Sequence, residues 1–160
     1  MIEGLAEING RPIPALEKDM RPGAYSTKGF LGADERLLDI LAEDNRYVAE
    51  ELGLTHQQIA RHLRALGEIA QKTGGEFRYH GRRYKATLQL ARGYQPSPFK
   101  DGTQTNAYVS VQNLDKNLKL EYSLLLPDLI ERYGFYEGKG TPYRIEPRKI
   151  LEFLDFLKQP

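Results

Sequence analysis

The segment from residue 48 to residue 66, VAEELGLTHQQIARHLRAL, constrains the fold more than any other part of this chain. Its first half predicts a helix that ends at Gly53, because glycine readily adopts the left-handed conformation found after helix C-termini. Thr55 then begins a second helix, and Gln58 completes a capping box with it. Three apolar residues at helical spacing predict the buried stripe of this second helix: Ile59, Leu63 and Leu66. The pattern is that of two helices joined by a tight turn, a helix-turn-helix.

The residues before this segment predict an irregular arm and two short helices. Residues 1–33 are rich in Gly and Pro, so we expect an arm that wraps around the domain. Its expected anchors are Tyr25, Phe30 and Leu31. Asp34 fits the N-cap of a first helix that runs to about Glu43. The next helix is expected to begin at residues 44–45 and to end at Gly53.

The residues after the helix-turn-helix predict antiparallel strands. Residues 76–90 alternate between two sets of side chains on either side of Gly81, as a β-hairpin does. Residues 92–102 are rich in turn-forming residues and predict a long connection, the expected boundary between two subdomains. Two further strands are expected at about residues 105–111 and 118–125.

The last part of the chain predicts two helices separated by a strand-turn-strand unit. Pro127 suits the first turn of a short helix that ends at Gly134. Residues 135–145 read as the strand-turn-strand unit, and Pro147 begins a terminal helix. Apolar residues cover most of the circumference of that helix, so we expect it to be buried or to form half of a homodimer interface. These residues are Ile150, Leu151, Phe153, Leu154, Phe156 and Leu157.

Positive charge is concentrated in the middle of the chain. The net charge of the 160 residues is +1, yet residues 61–100 contain nine Lys or Arg and only two Asp or Glu. Residues 1–60 contain six and eleven of these, respectively. A basic segment of this kind can bind phosphates even in a nearly neutral protein. The acidic first third of the chain can equally form ion pairs with this basic segment within the molecule.

The helix-turn-helix segment carries small and apolar residues where two crossing helices need them. The residues concerned are Ala49, Gly53, Leu54, Thr55, Ile59, Arg61, His62 and Leu63. With them the segment resembles winged helix-turn-helix DNA-binding proteins, the metal-responsive repressors especially. In such proteins a β-hairpin, the wing, follows the second helix, and a basic hairpin follows here. The resemblance covers about residues 35–92 and does not include a metal-sensing ligand set.

The resemblance implies a DNA-binding surface on the second helix and on the hairpin. Gln can bind adenine, and Arg can bind guanine, through paired hydrogen bonds in the major groove. The helix residues implied are Thr55, His56, Gln57, Gln58, Arg61 and Arg64. The hairpin residues, expected on phosphates or in the minor groove, are Arg78, Arg82, Arg83 and Lys85.

The sequence carries no cofactor motif. It has no cysteine, which excludes disulfides and thiolate chemistry. His56 and His62 lie about 120° apart around a helix and cannot share a metal ion without a third element. The Gly-rich stretch from Gly134 to Thr141 lacks the spacing of a phosphate-binding loop, so we expect a turn. We therefore expect no cofactor, metal or catalytic residue. A further alternative is an enzyme with a His or Tyr acid/base group in a cleft between the halves.

Tyrosines alternate with arginines along and after the hairpin. The residues are Tyr79, Tyr84 and Tyr94, interleaved with Arg78, Arg82, Arg83 and Arg92. Such a surface can stack on single-stranded bases, and it is equally suited to a protein interface. The alternative function is therefore a protein-interaction module, such as an inhibitor, immunity or assembly factor. Most tyrosine rings are expected in the core with their hydroxyls in water.

Together these patterns predict an α+β protein. A helix-turn-helix-like unit with a β-hairpin wing is expected to pack on a small antiparallel sheet and a C-terminal helix. The expected divisions are an arm (residues 1–33), a winged-helix-like unit (34–92) and a C-terminal subdomain (93–160). No apolar run reaches the roughly 18 residues that cross a bilayer, and no secretory signal is present, so we expect a cytoplasmic protein. The expected function is non-enzymatic binding of duplex DNA in transcription regulation, with a homodimer as the expected form.

Overall fold

A computed structural model describes residues 5–23 and 29–158 of the chain. Its elements, in chain order, are β1 (Glu7–Ile8), β2 (Arg11–Pro12), α1 (Ile13–Met20), α2 (Leu37–Arg46), α3 (His56–Lys72), β3 (Gly75–Tyr79), β4 (Arg82–Pro96), β5 (Gln104–Asn113), β6 (Leu118–Ser123), α4 (Leu126–Tyr133) and α5 (Ile150–Phe153). A π-helical segment, Tyr47–Leu52, extends α2, and 3₁₀ turns flank α5 at Pro147–Lys149 and Asp155–Leu157. The protein is therefore of the α+β class, as the sequence predicts. No helix within the described residues has the length and apolar surface that spanning a membrane would require.

Strands β3 to β6 form one antiparallel sheet, in which each strand pairs with its neighbour in the sequence. Leu88 on β4 pairs with Val109 on β5, and Val109 pairs with Tyr122 on β6. These pairs join the hairpin expected as a wing to the strands expected in a separate subdomain. Strand β4 also continues past the expected boundary at residues 92–93, so the connecting loop begins only at Ser97.

Helix α3 packs across the inner face of this sheet. The hydroxyl of Tyr122 donates a hydrogen bond to the carbonyl of Leu63 on α3 at 2.7 Å. The apolar stripe of α3 is fully buried, as its spacing predicts: Ile59, Leu63 and Leu66. Because the buried sides of the helix and the sheet face each other, their outer faces point in opposite directions.

One continuous helical segment replaces the two helices expected before Gly53. Helix α2 passes directly into the π-helical segment, and both Arg46 and Tyr47 have helical backbone angles. Residues 44–45 therefore lie inside a helix, and the expected break there is wrong, since neither Gly nor Pro interrupts this stretch. Gly53 ends the segment in the left-handed conformation, with a φ of +66°, as predicted.

The start of α2 is capped from another helix. Its first residue is Leu37, so Asp34 is not the N-cap that the sequence predicts. Instead, Oε2 of Glu17 on α1 accepts the backbone N–H of Leu37 at 2.8 Å and the Nε–H of Arg36 at 3.0 Å. A carboxylate at this position accepts a hydrogen bond from an N–H group that has no partner within the helix, and its negative charge interacts favourably with the helix dipole.

The N-terminal arm contains regular secondary structure, although its Gly and Pro content predicts an irregular segment. Strands β1 and β2 form a short hairpin, and α1 follows directly with Pro14 in its first turn. Three residues of α1 are buried at helical spacing: Ile13, Leu16 and Met20. Phe30 and Leu31 are buried as expected, whereas Tyr25 lies outside the described residues.

The segment after β6 agrees with the prediction at α4 and departs from it afterwards. Helix α4 has Pro127 in its first turn and ends at Gly134, whose φ is +65°. Residues 135–145 were expected to form strands, but they form none. This segment is held as a loop by two sets of hydrogen bonds. The backbone N–H groups of Lys139 and Gly140 donate to the side chain of Glu35. The guanidinium of Arg144 donates to the backbone carbonyl of Glu137.

The terminal helix expected from Pro147 is a series of short helical turns. Leu154 has a non-helical φ of −103° and ψ of +59°, which ends α5 after Phe153. Phe153, Leu154 and the earlier Ile150 are fully buried. Most of the apolar surface that suggested a homodimer interface is therefore used inside the molecule.

Candidate nucleic-acid interface

The side chains of Thr55 and Gln58 cap helix α3. Oγ1 of Thr55 accepts the backbone N–H of Gln58 at 3.1 Å, and Oε1 of Gln58 accepts the backbone N–H of Thr55 at 2.9 Å. This confirms the predicted capping box, which stabilises a helix start by about 1 kcal/mol. Because these hydrogen bonds use acceptor oxygens of both side chains, fewer hydrogen-bonding groups of Thr55 and Gln58 remain for a ligand.

His56 is held between two other elements. Its Nδ1 lies 2.8 Å from the hydroxyl of Tyr136, and its Nε2 lies 3.0 Å from Oδ1 of Asn45. Since an amide oxygen only accepts hydrogen bonds, Nε2 carries the proton and Nδ1 accepts from Tyr136. Burial lowers the pKa of His56, which favours this neutral form. His56 therefore has a structural role, with its ring packed against Gly134.

Gln57 and Arg61 form an exposed strip, one helical turn apart on α3. Neither makes a hydrogen bond or ion pair with the residues that the structure describes. Arg64, on the next turn, is paired with Glu131 of α4, where Nη2 and Oε1 lie 3.0 Å apart. Gln57 and Arg61 are therefore the predicted helix residues best placed to meet a ligand.

The tip of the β3–β4 hairpin lies beside the second turn of α3. Nδ1 of His62 lies 2.7 Å from the hydroxyl of Tyr79, and burial lowers the pKa of His62. The ring of His80 stacks on Phe156 at 4.4 Å between centroids. His80 and Gly81 both have positive φ, which gives the two-residue turn that suits a tight hairpin. The hairpin is thus fixed to the helix and to the C-terminal segment.

Two arginines of the hairpin have acidic partners from later parts of the chain. Nε of Arg82 lies 3.1 Å from Oδ2 of Asp155, and Nε of Arg83 lies 3.1 Å from Oδ1 of Asp115. The backbone N–H of Arg83 also donates to Asp115, and this bond and the guanidinium lower the pKa of that carboxyl. Part of the positive charge of the hairpin is therefore balanced within the molecule.

The ten predicted residues do not share one surface. Lys85 lies on the outer face of the sheet, since its neighbour Tyr84 is buried against the core on the inner face. Arg78 and Arg83 pair across the hairpin and share that outer face. Helix α3 packs on the inner face, so Arg61 points away from Lys85. The helix residues and the hairpin residues come close only at the hairpin tip.

The hairpin tyrosines turn toward the interior. The hydroxyl of Tyr84 donates to the carbonyl of Phe153 at 2.6 Å, and burial raises the pKa of Tyr84. Tyr79 is bonded to His62, whereas Tyr94 is 61% exposed. The alternating tyrosines and arginines of the hairpin therefore do not form one aromatic surface.

The Gly-rich loop after α4 holds a carboxylate of the protein itself. Oε1 of Glu35 accepts the backbone N–H groups of Gly32 and Gly140 at 2.6 and 3.1 Å, and Oε2 accepts that of Lys139 at 2.8 Å. Burial raises the pKa of Glu35, but the backbone hydrogen bonds together lower it by more. The pKa of Glu35 therefore lies below its usual value. The loop has the geometry of an anion site, and an internal anion fills it.

A group of polar residues that the sequence did not single out lines a cavity beside this loop. Glu137, Tyr108 and Ser123 belong to it and come from the loop, β5 and β6, respectively. No spacing within the sequence marks them, because only the tertiary structure brings these elements together.

Comparison of the chain with protein-family models, curated proteins and solved structures gave no match.

Proposed function

We propose that this protein binds duplex DNA at the end of the molecule formed by the start of α3 and the tip of the β3–β4 hairpin. The observation that carries the proposal is the 2.7 Å hydrogen bond between His62 and Tyr79, which fixes the tip beside α3. Arg61 lies on the helix side of this end, and Arg78 and Arg83 lie on the outer face of the sheet, so a duplex that crosses the tip can meet both sets. A helix and a hairpin used together are typical of winged DNA-binding domains.

In this proposal Gln57 and Arg61 contact base edges. They are exposed near the start of α3, and their side chains form paired hydrogen bonds with adenine and guanine, respectively. Arg83 and Arg78 contact phosphates. The ion pair of Arg83 with Asp115 is exposed, and such pairs contribute less than about 1 kcal/mol. It therefore opposes the contact of Arg83 with a phosphate only weakly. Regulation of transcription is the role to which this binding would belong.

The remaining predicted residues act indirectly in this proposal. Thr55, Gln58 and His56 hold the start of α3, and Arg82 holds the hairpin tip through Asp155. Arg64 is paired with α4, and Lys85 lies farther along the outer face of the sheet.

Fluorescence anisotropy with a labelled random-sequence duplex tests the proposal at about 50 and 200 mM salt. If Arg83 and Arg78 contact one phosphate each, the affinity should fall about twelvefold over this range, because each contact adds roughly 0.9 to the salt exponent. Arg61→Ala and Arg83→Ala should each weaken binding several-fold. Arg92→Ala is the matched control, since Arg92 is an exposed arginine of β4 beyond the hairpin.

Two results would overturn the proposal. One is the absence of salt-dependent binding at the lower salt concentration. The other is equal affinity of Arg61→Ala and Arg92→Ala for the duplex. An unlabelled single strand of the same length serves as the competitor, and preference for it would replace the duplex with single-stranded nucleic acid as the target.

One feature of β4 favours a protein partner as a second candidate. Strand β3 pairs with β4 only as far as Ala86, and beyond that point this edge of β4 has no paired strand among the described residues. Leu88, Leu90 and Tyr94 along this stretch are 36%, 63% and 61% exposed. An unpaired edge with apolar side chains can accept an extended segment of another protein as a further strand.

The variant Leu90→Glu separates this candidate from DNA binding. A protein that pairs with β4 should be captured by the wild type and by Arg61→Ala but not by Leu90→Glu. In the complex, those backbone N–H groups of residues 87–93 that point to the unpaired edge of β4 should exchange more slowly with solvent. A partner that binds Leu90→Glu with unchanged affinity would exclude this edge as its site.

A further inference from the structure

A cavity of about 290 Å³ lies between β4, β5, β6 and the loop after α4. Its volume is close to the lower end of the range of small-molecule sites, roughly 300–1,000 Å³. The apolar part of its lining includes Phe30 and Leu90, and the polar part includes Ser123, Tyr108 and Glu137. A lining of this mixed kind fixes the orientation of a small ligand as well as its position.

Among the described residues that line the cavity, Glu137 is the one with a carboxyl group. The residue is 3% exposed, and Oε1 accepts a hydrogen bond from the Thr141 hydroxyl at 3.3 Å. Thr141 is the one side chain among the described residues that donates a hydrogen bond to this carboxyl group. The backbone of Glu137 has a φ of +70°, an unfavourable value for a residue with a Cβ atom. The loop thus places a carboxyl group, on a strained backbone, in the lining of the cavity.

The nearest guanidinium does not neutralise this carboxyl group. Arg144 directs Nη1 and Nη2 to the two carboxylate oxygens of Asp44, each at 2.8 Å. Its contact with Glu137 is to the backbone carbonyl, at 2.7 Å from Nη1. Burial raises the pKa of Glu137 to about 8, while Thr141 and Arg144 lower it by less. A positive charge supplied from outside would favour the ionised carboxylate.

Two aromatic rings lie close to Glu137. The centroids of Tyr108 and Tyr143 are 5.0 Å apart, and both residues line the cavity. Burial raises the pKa of Tyr108, with Tyr143 and Glu137 as further causes, so the carboxyl group acts on this phenol. The faces of aromatic rings attract cations, whereas a carboxylate repels anions.

We propose that this cavity binds a small organic cation with a protonated amine, which pairs with Glu137 while its carbon skeleton lies against Tyr108, Phe30 and Leu90. This site is independent of the DNA-binding surface. On binding, the ammonium group keeps its protons, and the carboxyl proton of Glu137 passes to solvent. Binding is therefore coupled to the release of close to one proton per site below the pKa of free Glu137.

Three probes of similar size and different charge test the proposal: benzylammonium, benzyl alcohol and benzoate. Protein-observed NMR titration of the full chain gives both affinity and location. At pH 8 benzylammonium should bind at least tenfold more tightly than either of the other probes. The largest shifts of the backbone N–H signals should come from Gln89, Ser123 and Glu137, which line the cavity.

The pH dependence gives a second, independent signature. Between pH 6 and pH 8 the ammonium probe stays charged, while free Glu137 changes from protonated to half ionised. The affinity of wild-type protein for benzylammonium should therefore rise roughly fiftyfold over this range. Glu137→Gln should bind the probe weakly at both pH values. The matched control Glu76→Gln, which removes an exposed carboxylate from β3, should behave as wild type.

Several results would overturn the proposal. They are unchanged binding of benzylammonium by Glu137→Gln, benzoate binding as tight as that of benzylammonium, or shifts that map away from the cavity. Should Glu137→Gln fail to fold, the wild-type measurements still decide. Absence of a saturable shift with benzylammonium at pH 8 would exclude the site.

Discussion

The hydroxyl of Tyr79 lies 2.7 Å from Nδ1 of His62, in a contact that joins the β3–β4 hairpin to helix α3. The His62 ring is buried, and it also packs edge-on against Phe156 at 5.0 Å between centroids. Three parts of the chain therefore meet at this histidine: the helix, the hairpin and the C-terminal segment.

Tyr79→Phe removes this hydrogen bond while keeping the ring. The free energy of unfolding should fall by about 1 kcal/mol, because a partly buried acceptor on His62 loses its donor. Urea unfolding measures the change. Tyr94→Phe is the control, since Tyr94 is 61% exposed and should tolerate loss of its hydroxyl. Equal stability of the two variants would mean that the contact does not hold the hairpin tip in place.

Gly134→Ala and Gly53→Ala separate backbone strain from a steric clash. Both glycines end helices in the left-handed conformation, with φ of +65° and +66°. A Cβ atom at position 134 would lie 2.7 Å from Nε2 of His56, whereas one at position 53 would meet nothing within 4 Å. Gly53→Ala should cost about 1–2 kcal/mol from strain alone.

Gly134→Ala should therefore destabilise the protein more than Gly53→Ala does, when both are measured by thermal or urea unfolding. The additional cost is that of moving the His56 ring away from its positions against Tyr136 and Asn45. Similar losses in the two variants would show that the ring moves aside without penalty.

Arg144→Ala should be strongly destabilising. The side chains of Arg144 and Asp44 are each only 5% exposed, and removing one partner of such a pair leaves a buried charge. A loss of about 3–5 kcal/mol in the free energy of unfolding is expected. Arg64→Ala, which breaks a more exposed pair with Glu131, should cost about 1 kcal/mol or less. Comparable losses from the two substitutions would contradict the role assigned to burial.

Glu137→Gln should change how stability depends on pH. Burial raises the pKa of Glu137 to about 8, so the folded state holds its proton at pH values where the unfolded state has lost it. Wild-type stability should therefore fall as pH rises from about 4.5 to about 8, by up to about 1.4 kcal/mol per pH unit from this group.

Unfolding of wild type and Glu137→Gln at pH 5, 6, 7 and 8 measures this difference. The variant should gain in stability relative to wild type as the pH rises. Glu76→Gln is the control, since it shows how the loss of an exposed carboxylate alone changes the free energy of unfolding. A difference that is constant over this range would mean that the carboxyl group is ionised in the folded protein throughout.

The features of the fold that the sequence predicts are those decided by neighbouring residues. Thr55 and Gln58 are three positions apart, so their capping box follows from local geometry alone. The same holds for Gly53 and Gly134, where only residues that tolerate positive φ fit. Their helix ends agree with the prediction for that reason.

The features that the sequence does not predict depend on contacts between distant residues. Asp34 has the chemistry of an N-cap, but Glu17 takes that role because α1 brings it to Leu37. Residues 135–145 have the composition of a strand-turn-strand unit, yet Glu35 accepts backbone groups that strand pairing would have used. Neither outcome can be read from local spacing.

The same distinction applies to the candidate interface. The sequence identifies basic residues on the hairpin, but it cannot show that Asp115 lies beside Arg83 or that Asp155 lies beside Arg82. The opposite directions of Arg61 and Lys85 likewise depend on which face of the sheet α3 covers. Composition therefore indicates the kind of partner, and packing decides which residues can reach it.

The order of the elements also has a consequence for folding during synthesis. Every strand of the sheet pairs with its neighbour in the sequence, so the meander can form as soon as β6 has left the ribosome. The contact of Tyr136 with His56 closes a separation of 80 residues, and α5 is later still. Until those segments emerge, part of the apolar surface of α3 and of the sheet stays uncovered. A nascent chain that ends near residue 125 should accordingly be a preferred client of ribosome-associated chaperones.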